Sequence, residues 1–90
     1  MNTYLVEAII RNKKVARDPE GETIKKELVA RSSVAERIED VRSGKWLLFK
    51  VRASSPEEAL DTVKKLCKEM RIYNPVVHEM EVRLYQGSGA

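Results

Sequence analysis

The sequence predicts an α+β fold, a two-layer sandwich whose three- to four-stranded, mainly antiparallel sheet carries two helices on one face. Three observations point there. Val6, Ala8 and Ile10 alternate near the start, a capped amphipathic helix begins at Ser55-Pro56, and a second alternation, Met80, Val82 and Leu84, comes near the end. A chain of 90 residues has one core to build, because at this size only about two-thirds of the unfolded surface is buried. Residues 1–85 are therefore expected to form a single domain, with a flexible tail over residues 86–90.

The first strand is expected from Thr3 to Arg11, with Val6, Ala8 and Ile10 on one side and Leu5, Glu7, Ile9 and Arg11 on the other. A basic loop follows and leads to Asp18-Pro19-Glu20-Gly21. Asp18 suits an N-cap, and Pro19 has its φ preset for the first helical position. The helix should reach about Arg31, with Ile24 and Leu28 one turn apart on its buried side. Gly21 lowers helix propensity, so it is expected to mark a close approach of backbones.

Ser32 and Ser33 end that helix, and two foldings compete for the stretch beyond. In one, Ser43-Gly44 is a two-residue turn between a short and a longer strand, which gives a ferredoxin-like βαββαβ order but sets Asp40 on the core face. In the other, residues 41–53 are one strand bent at Gly44, with Val41, Leu47, Phe49 and Val51 sharing a face. The bent strand is favoured because it buries no carboxylate.

The second helix has the clearest start, since Ser55, Pro56 and Glu58 form a capping box with proline at N1. Ala59, Leu60, Val63, Leu66, Cys67 and Met70 form its apolar, core-facing stripe, and Leu66 is expected at the centre of that stripe. Asn74-Pro75 stops the helix, because the residue before a proline avoids the α region. The open face of the sheet is left with Leu5, Ile9, Trp46, Leu48 and Val77. Leu5, Ile9, Trp46 and Leu48 are the candidates for self-association into a homodimer or higher homo-oligomer.

Composition argues for an ordered, soluble chain: 42% of residues are hydrophobic and 34% charged. The net charge of +3 comes from basic and acidic residues interspersed along the chain, so no nucleic-acid partner is expected, nor a membrane one. A single cysteine, without a secretory signal or long apolar run, places the chain in the reducing cytoplasm.

No catalytic residue and no metal site are expected. His78 has neither Cys67 nor a carboxylate at ligand or triad spacing, and Cys67 falls in an apolar stripe where a thiol is inert. Gly44-Lys45 lacks the earlier glycine of a phosphate-binding loop. Two other readings stay open on the fold alone, a small-molecule-sensing module and an RNA-binding one. Against the second, Trp46 stands without the basic-aromatic pattern of an RNA-binding sheet.

Four segments, read in order, carry a resemblance: a first strand leading to Lys13-Lys14; Asp18-Pro19-Glu20-Gly21 with Ile24; Val41-Arg42 with Gly44-Lys45; and Asn74-Pro75-Val76. Together they resemble the PurS family, the small subunit of phosphoribosylformylglycinamidine synthase in purine biosynthesis. Val15 and Arg17 before Asp18, Tyr73, and a slightly long Ser32–Arg37 connection depart from the family pattern. The resemblance implies a non-catalytic accessory subunit that bridges a glutaminase subunit and a synthetase subunit and assists ammonia transfer. It also implies that this chain binds no cofactor, while the complex uses ATP and glutamine. On the same footing, Arg42, Gly44 and Lys45 are candidate partner contacts, with Asp18, Pro19, Gly21, Asn74 and Pro75 beside them.

Overall fold

The computed structural model describes residues 1–14 and 16–86, so residues 87–90 of the expected tail lie outside the described residues. Strand β1 runs Asn2–Asn12, β2 Gly44–Ala53 and β3 His78–Leu84. They form one antiparallel sheet in the order β2-β1-β3, with β1 between the other two. Val6 pairs with Phe49 on one side and Leu84 on the other; Ala8 likewise pairs with Leu47 and Val82. The predicted class stands: an α+β fold of three antiparallel strands and two helices.

The alternation in β1 works as read, since Val6, Ala8 and Ile10 are all buried. Helix α2, Pro56–Glu69, begins at the expected N-cap, where Ser55 accepts a hydrogen bond from the Glu58 amide at 3.2 Å, but the expected box is half formed, since the Glu58 carboxylate accepts from the Ser54 hydroxyl at 2.9 Å. It lies across all three strands. Its line of contact is narrower than the stripe suggests: Ala59, Val63 and Cys67 are buried, whereas Leu66 and Met70 are exposed. Leu66 is therefore not a core residue, because the sheet beneath meets only the side of the helix on which every fourth residue from Ala59 falls.

The end of α2 is set by local chemistry. Arg71 has φ 50, the Ile72 amide donates to the Cys67 carbonyl and the Arg71 amide to that of Lys68. This is the paired closure of a helix C-terminus around a left-handed residue, with arginine where glycine is commoner.

Helix α1 starts at Pro19 as expected and is brief, Pro19–Thr23; a π-helical turn, Ile24–Leu28, and a 3-10 turn, Val29–Arg31, carry the chain onward. A further 3-10 turn, Ala35–Arg37, brings it back. Among the secondary-structure elements these pieces contact only one another, while α2 alone lies on the sheet. Residues 19–40 thus form an arm that projects from the domain. The molecule measures 50 × 34 × 14 Å with a radius of gyration of 16.5 Å, against about 12 Å for a compact chain of this length.

Neither expected folding of residues 41–53 is realised. The strand begins at Gly44, opposite Arg11, and residues 38–43 join no ladder. Ser43 is held by Asp18 and Arg42 reaches the end of β1, so this segment ties the arm to the sheet and adds no strand. Without a fourth strand the βαββαβ order falls away, and Asp40 is exposed, as the cost of burying it demands.

Candidate functional site

The candidate residues gather at one end of the sheet, where β1 finishes and β2 and β3 begin. Asp18 is the hub. Its Oδ1 accepts a hydrogen bond from the Gly21 amide at 3.0 Å, capping α1, and another from the Ser43 hydroxyl. Its Oδ2 accepts from the Ser43 amide at 2.6 Å and lies 3.8 Å from Arg42 Nε. The side chain is buried, with 2% of its surface exposed.

Hydrogen bonds to the charged form hold the Asp18 carboxyl down, from 3.8 to about 2: Ser43 contributes most, then the Gly21 amide, with a smaller part from Arg42, and burial opposes them. A carboxyl held down in the folded state adds stability when ionised. That stability is complete above about pH 4 and is lost as the pH falls through about 2. In wild type, acid should therefore release the Gly21 and Ser43 amides in this window, as followed by their NMR signals. Asp18→Asn should show no such step, and a step of equal size in that variant would assign the transition to another group.

Arg42 turns its guanidinium inward, donating from Nη2 to the carbonyls of Asn12 and Lys13, both at 3.1 Å. Gly21 and Gly44 have no room for a side chain. A Cβ on Gly21 would lie 2.7 Å from the Val41 carbonyl oxygen, and one on Gly44 would lie 2.5 Å from that of Ile10. Asp18, Gly21, Arg42 and Gly44 therefore fasten the arm to the sheet, and Pro19 starts α1 beside them.

Lys45 differs. It is exposed, and its side chain makes no hydrogen bond or ion pair among the described residues. It borders a shallow cavity of about 240 Å³ together with Arg11, Asn12, Glu20, Ser43 and His78. Asn74 and Pro75 are also exposed, on the knuckle that leads into β3. Asn74 organises that knuckle: its amide donates to His78 Nδ1 at 3.0 Å and its side-chain oxygen accepts from the Val76 amide at 3.0 Å. The Lys13 amide donates to the Val77 carbonyl at 2.9 Å, joining the knuckle to the basic loop.

The open face divides in two. Leu5, Trp46 and Leu48 are exposed and Ile9 is half-buried, forming an apolar patch over β1 and β2. Beside it Arg11 pairs with Glu79 and Glu81, and Arg83 with Glu81 and Glu7. Trp46 donates from Nε1 to Glu7 at 2.9 Å and stands edge-on to Tyr85, ring centres 5.9 Å apart. Glu7, expected on the outer side of β1, is buried between Trp46 and Arg83. Val77 precedes β3 and belongs to the knuckle.

Sequence reasoning missed Ser43 and Glu7. Ser43 sits between Arg42 and Gly44 in one of the four motif segments, and its place there was the available signal; nothing local marks Glu7. Cys67 is buried, which pushes its thiol up and away from nucleophilic reactivity. Among the described residues no group of three His, Cys, Asp or Glu could hold a metal ion. No helix among them is long and apolar enough to cross a membrane.

Known proteins match this chain along nearly its whole length. Of the solved structures, that of PurLQS from Thermotoga maritima superposes with a TM-score of 0.80 at 35% identity, over 94% of this chain and 100% of that one. The purS subunit of phosphoribosylformylglycinamidine synthase from the same organism gives 0.80 at 34% identity, over 93% of both chains. Methanocaldococcus jannaschii PurS, described as one of the subunits of formylglycinamide ribonucleotide amidotransferase in the purine biosynthetic pathway, gives 0.77 at 26%, over 94% of this chain and 99% of that one. No curated protein sequence matches. The sequence profile of the family described as PurS: Phosphoribosylformylglycinamidine (FGAM) synthase matches residues 5–86. With the profile spanning all three strands and both helices, the chain belongs to the PurS family, the PurS subunit of FGAM synthase in purine biosynthesis.

Proposed function

We propose that this chain is a non-catalytic bridge in a cytoplasmic FGAM synthase, touching both the glutaminase and the synthetase subunit and assisting the passage of ammonia between them. The observation that supports this most is the gathering of the motif residues at one end of the sheet, where Lys45, Asn74 and Pro75 are exposed. Asp18 and Gly21, both buried, with Pro19, Arg42 and Gly44 beside them, hold the arm at that end of the sheet. ATP and glutamine are used elsewhere in the complex. Leu5, Ile9, Trp46 and Leu48 give the chain a face for self-association beside these contacts.

A bridge answers a chemical need. Ammonia is protonated in neutral water and diffuses away, whereas active sites held at a fixed separation can pass it on as the neutral nucleophile. Charge reversal at a desolvated partner contact costs far more than at a solvated position. Lys45→Glu should therefore weaken co-sedimentation with the glutaminase and synthetase subunits by at least about tenfold while leaving the circular dichroism of the isolated chain unchanged. Arg42→Glu is a poorer test, since Arg42 also holds Asn12 and Lys13. Unchanged complex formation by Lys45→Glu would remove this end of the sheet from the interface.

A further inference from the structure

We propose that the cleft between the end of α2 and the knuckle binds a small phosphomonoester, with its phosphate on Lys68 and Arg71 and a ring against Tyr73. This goes beyond the bridging role and does not rest on it. The cleft measures about 720 Å³ and is lined by Lys68, Arg71, Tyr73, Asn74, Pro75 and Val76. Small-molecule sites span about 300–1,000 Å³ and combine apolar walls with a few polar groups. Here the end of the helix brings the cations, and Tyr73 and the knuckle bring the apolar groups.

The charge of the cleft selects an anion. Arg11, Arg17, Arg42, Lys65 and Arg83 each stand beside a carboxylate. Lys68 and Arg71 are exposed, and their side chains make no hydrogen bond or ion pair among the described residues. No carboxylate among those residues lines the cleft. Asn74 accepts from the Val76 amide through its side-chain oxygen, which leaves its NH2 group to donate, and the Tyr73 hydroxyl is a further donor. Two positive charges with these donors match the charge of about −1.5 to −2 and the three oxygens of a phosphomonoester. The guanidinium fork takes phosphate oxygens in pairs.

Helix chemistry alone does not account for Arg71. A cation in the last turn complements the helix dipole, which explains Lys68. Arg71 lies beyond that turn with φ 50, a conformation that glycine takes with less strain. The carbonyls of Leu66, Cys67 and Lys68 accept the amides of Met70, Ile72 and Arg71, so backbone groups close the helix end and leave the guanidinium to a ligand. The apolar side keeps its shape as well. Tyr73 is half-buried against the core, and the bonds from Asn74 to His78 and from Lys13 to Val77 fix the knuckle. A site formed before its ligand arrives gives up little order on binding.

Titrating the full chain with AMP should move the backbone NMR signals of Arg71, Tyr73 and Val76 to saturation, while adenosine, which lacks the phosphate, should leave them in place. Arg71→Gly suits the left-handed backbone and removes only the guanidinium. It should weaken AMP binding at least about tenfold without lowering the urea midpoint. Lys68→Gln should weaken binding similarly, whereas Lys64→Gln, on α2 outside the cleft, should not. Ribose 5-phosphate is the second probe: weaker binding than AMP assigns the ring to a nucleobase and equal binding assigns it to the sugar, either result in support. Signals that do not saturate at millimolar AMP, equal shifts with adenosine, or undiminished binding by Arg71→Gly would each overturn the site. So would signals that respond to the partner subunits and not to AMP, which would make the cleft a protein contact.

Discussion

Leaving the chain out of a reconstituted FGAM synthase should cut glutamine-dependent amidine formation at least about a hundredfold, while turnover driven by added ammonium salt stays within about threefold of the complete complex. The asymmetry follows from the proposed bridging role. On that reading glutamine-derived ammonia has to travel between two active sites, and holding those sites together replaces a diffusive search by a transfer of fixed geometry. Ammonia added from solution needs no such arrangement. Measuring both rates with and without the chain separates the readings: undiminished glutamine-dependent turnover would dismiss the bridge, and equal loss of both reactions would place the chain's contribution within the synthetase site itself. A chain carrying Lys45→Glu should behave like omission at the lower concentrations and recover in excess, because its fault lies in affinity.

Val6→Asp should remove most of the domain's stability. Val6 is fully buried at the centre of β1, flanked by Phe49 and Leu84. The substitution removes the burial of a valine, worth about 1.5–3 kcal/mol, and leaves an unpaired buried carboxylate, which costs about 3–5 kcal/mol more. A domain of this length has about 5–13 kcal/mol in all. Urea denaturation should find the midpoint of Val6→Asp reduced by more than about a third, whereas Leu66→Asp, on the exposed flank of α2, should shift it only slightly. Comparable loss at both positions would show that α2 is seated on the sheet through the wrong side.

The two variants also separate what was legible in the sequence from what was not. Alternation in β1 and β3 and the Ser55-Pro56-Glu58 start of α2 are local features. The backbone period or the cap that defines each of them acts over a few residues, so β1, β3, the class and the second helix could be read directly. The PurS motifs were legible for a related reason, since each lies where the chain must turn: the α1 cap at Asp18, the tight approach at Gly44 and the helix stop at Asn74-Pro75. Their spacing records the fold as much as any partner.

Side-chain partners across the chain were not legible. Leu66 shares the apolar period of α2, yet only contact with a three-stranded sheet decides that Ala59, Val63 and Cys67 lie on the buried line and Leu66 does not. Glu7 reads as an outward charge, and becomes buried because Trp46 and Arg83, 39 and 76 residues away, supply both its hydrogen bonds. Arg42 reads as a free contact and is tied to the end of β1. The start of β2 at Gly44 rests on Ser43 being claimed by Asp18, 25 residues earlier.

By itself, then, the sequence determined β1, β3, the starts of both helices, the α+β class and the family, because caps, periods and turn residues act within a few positions of one another. Only the tertiary structure decided that α1 leaves the sheet as an arm, that Asp18, Gly21 and Arg42 fasten it, and that Lys45 and Asn74-Pro75 stay free at that end. Those outcomes depend on hydrogen bonds and packing between residues far apart in the chain, and no local period encodes them.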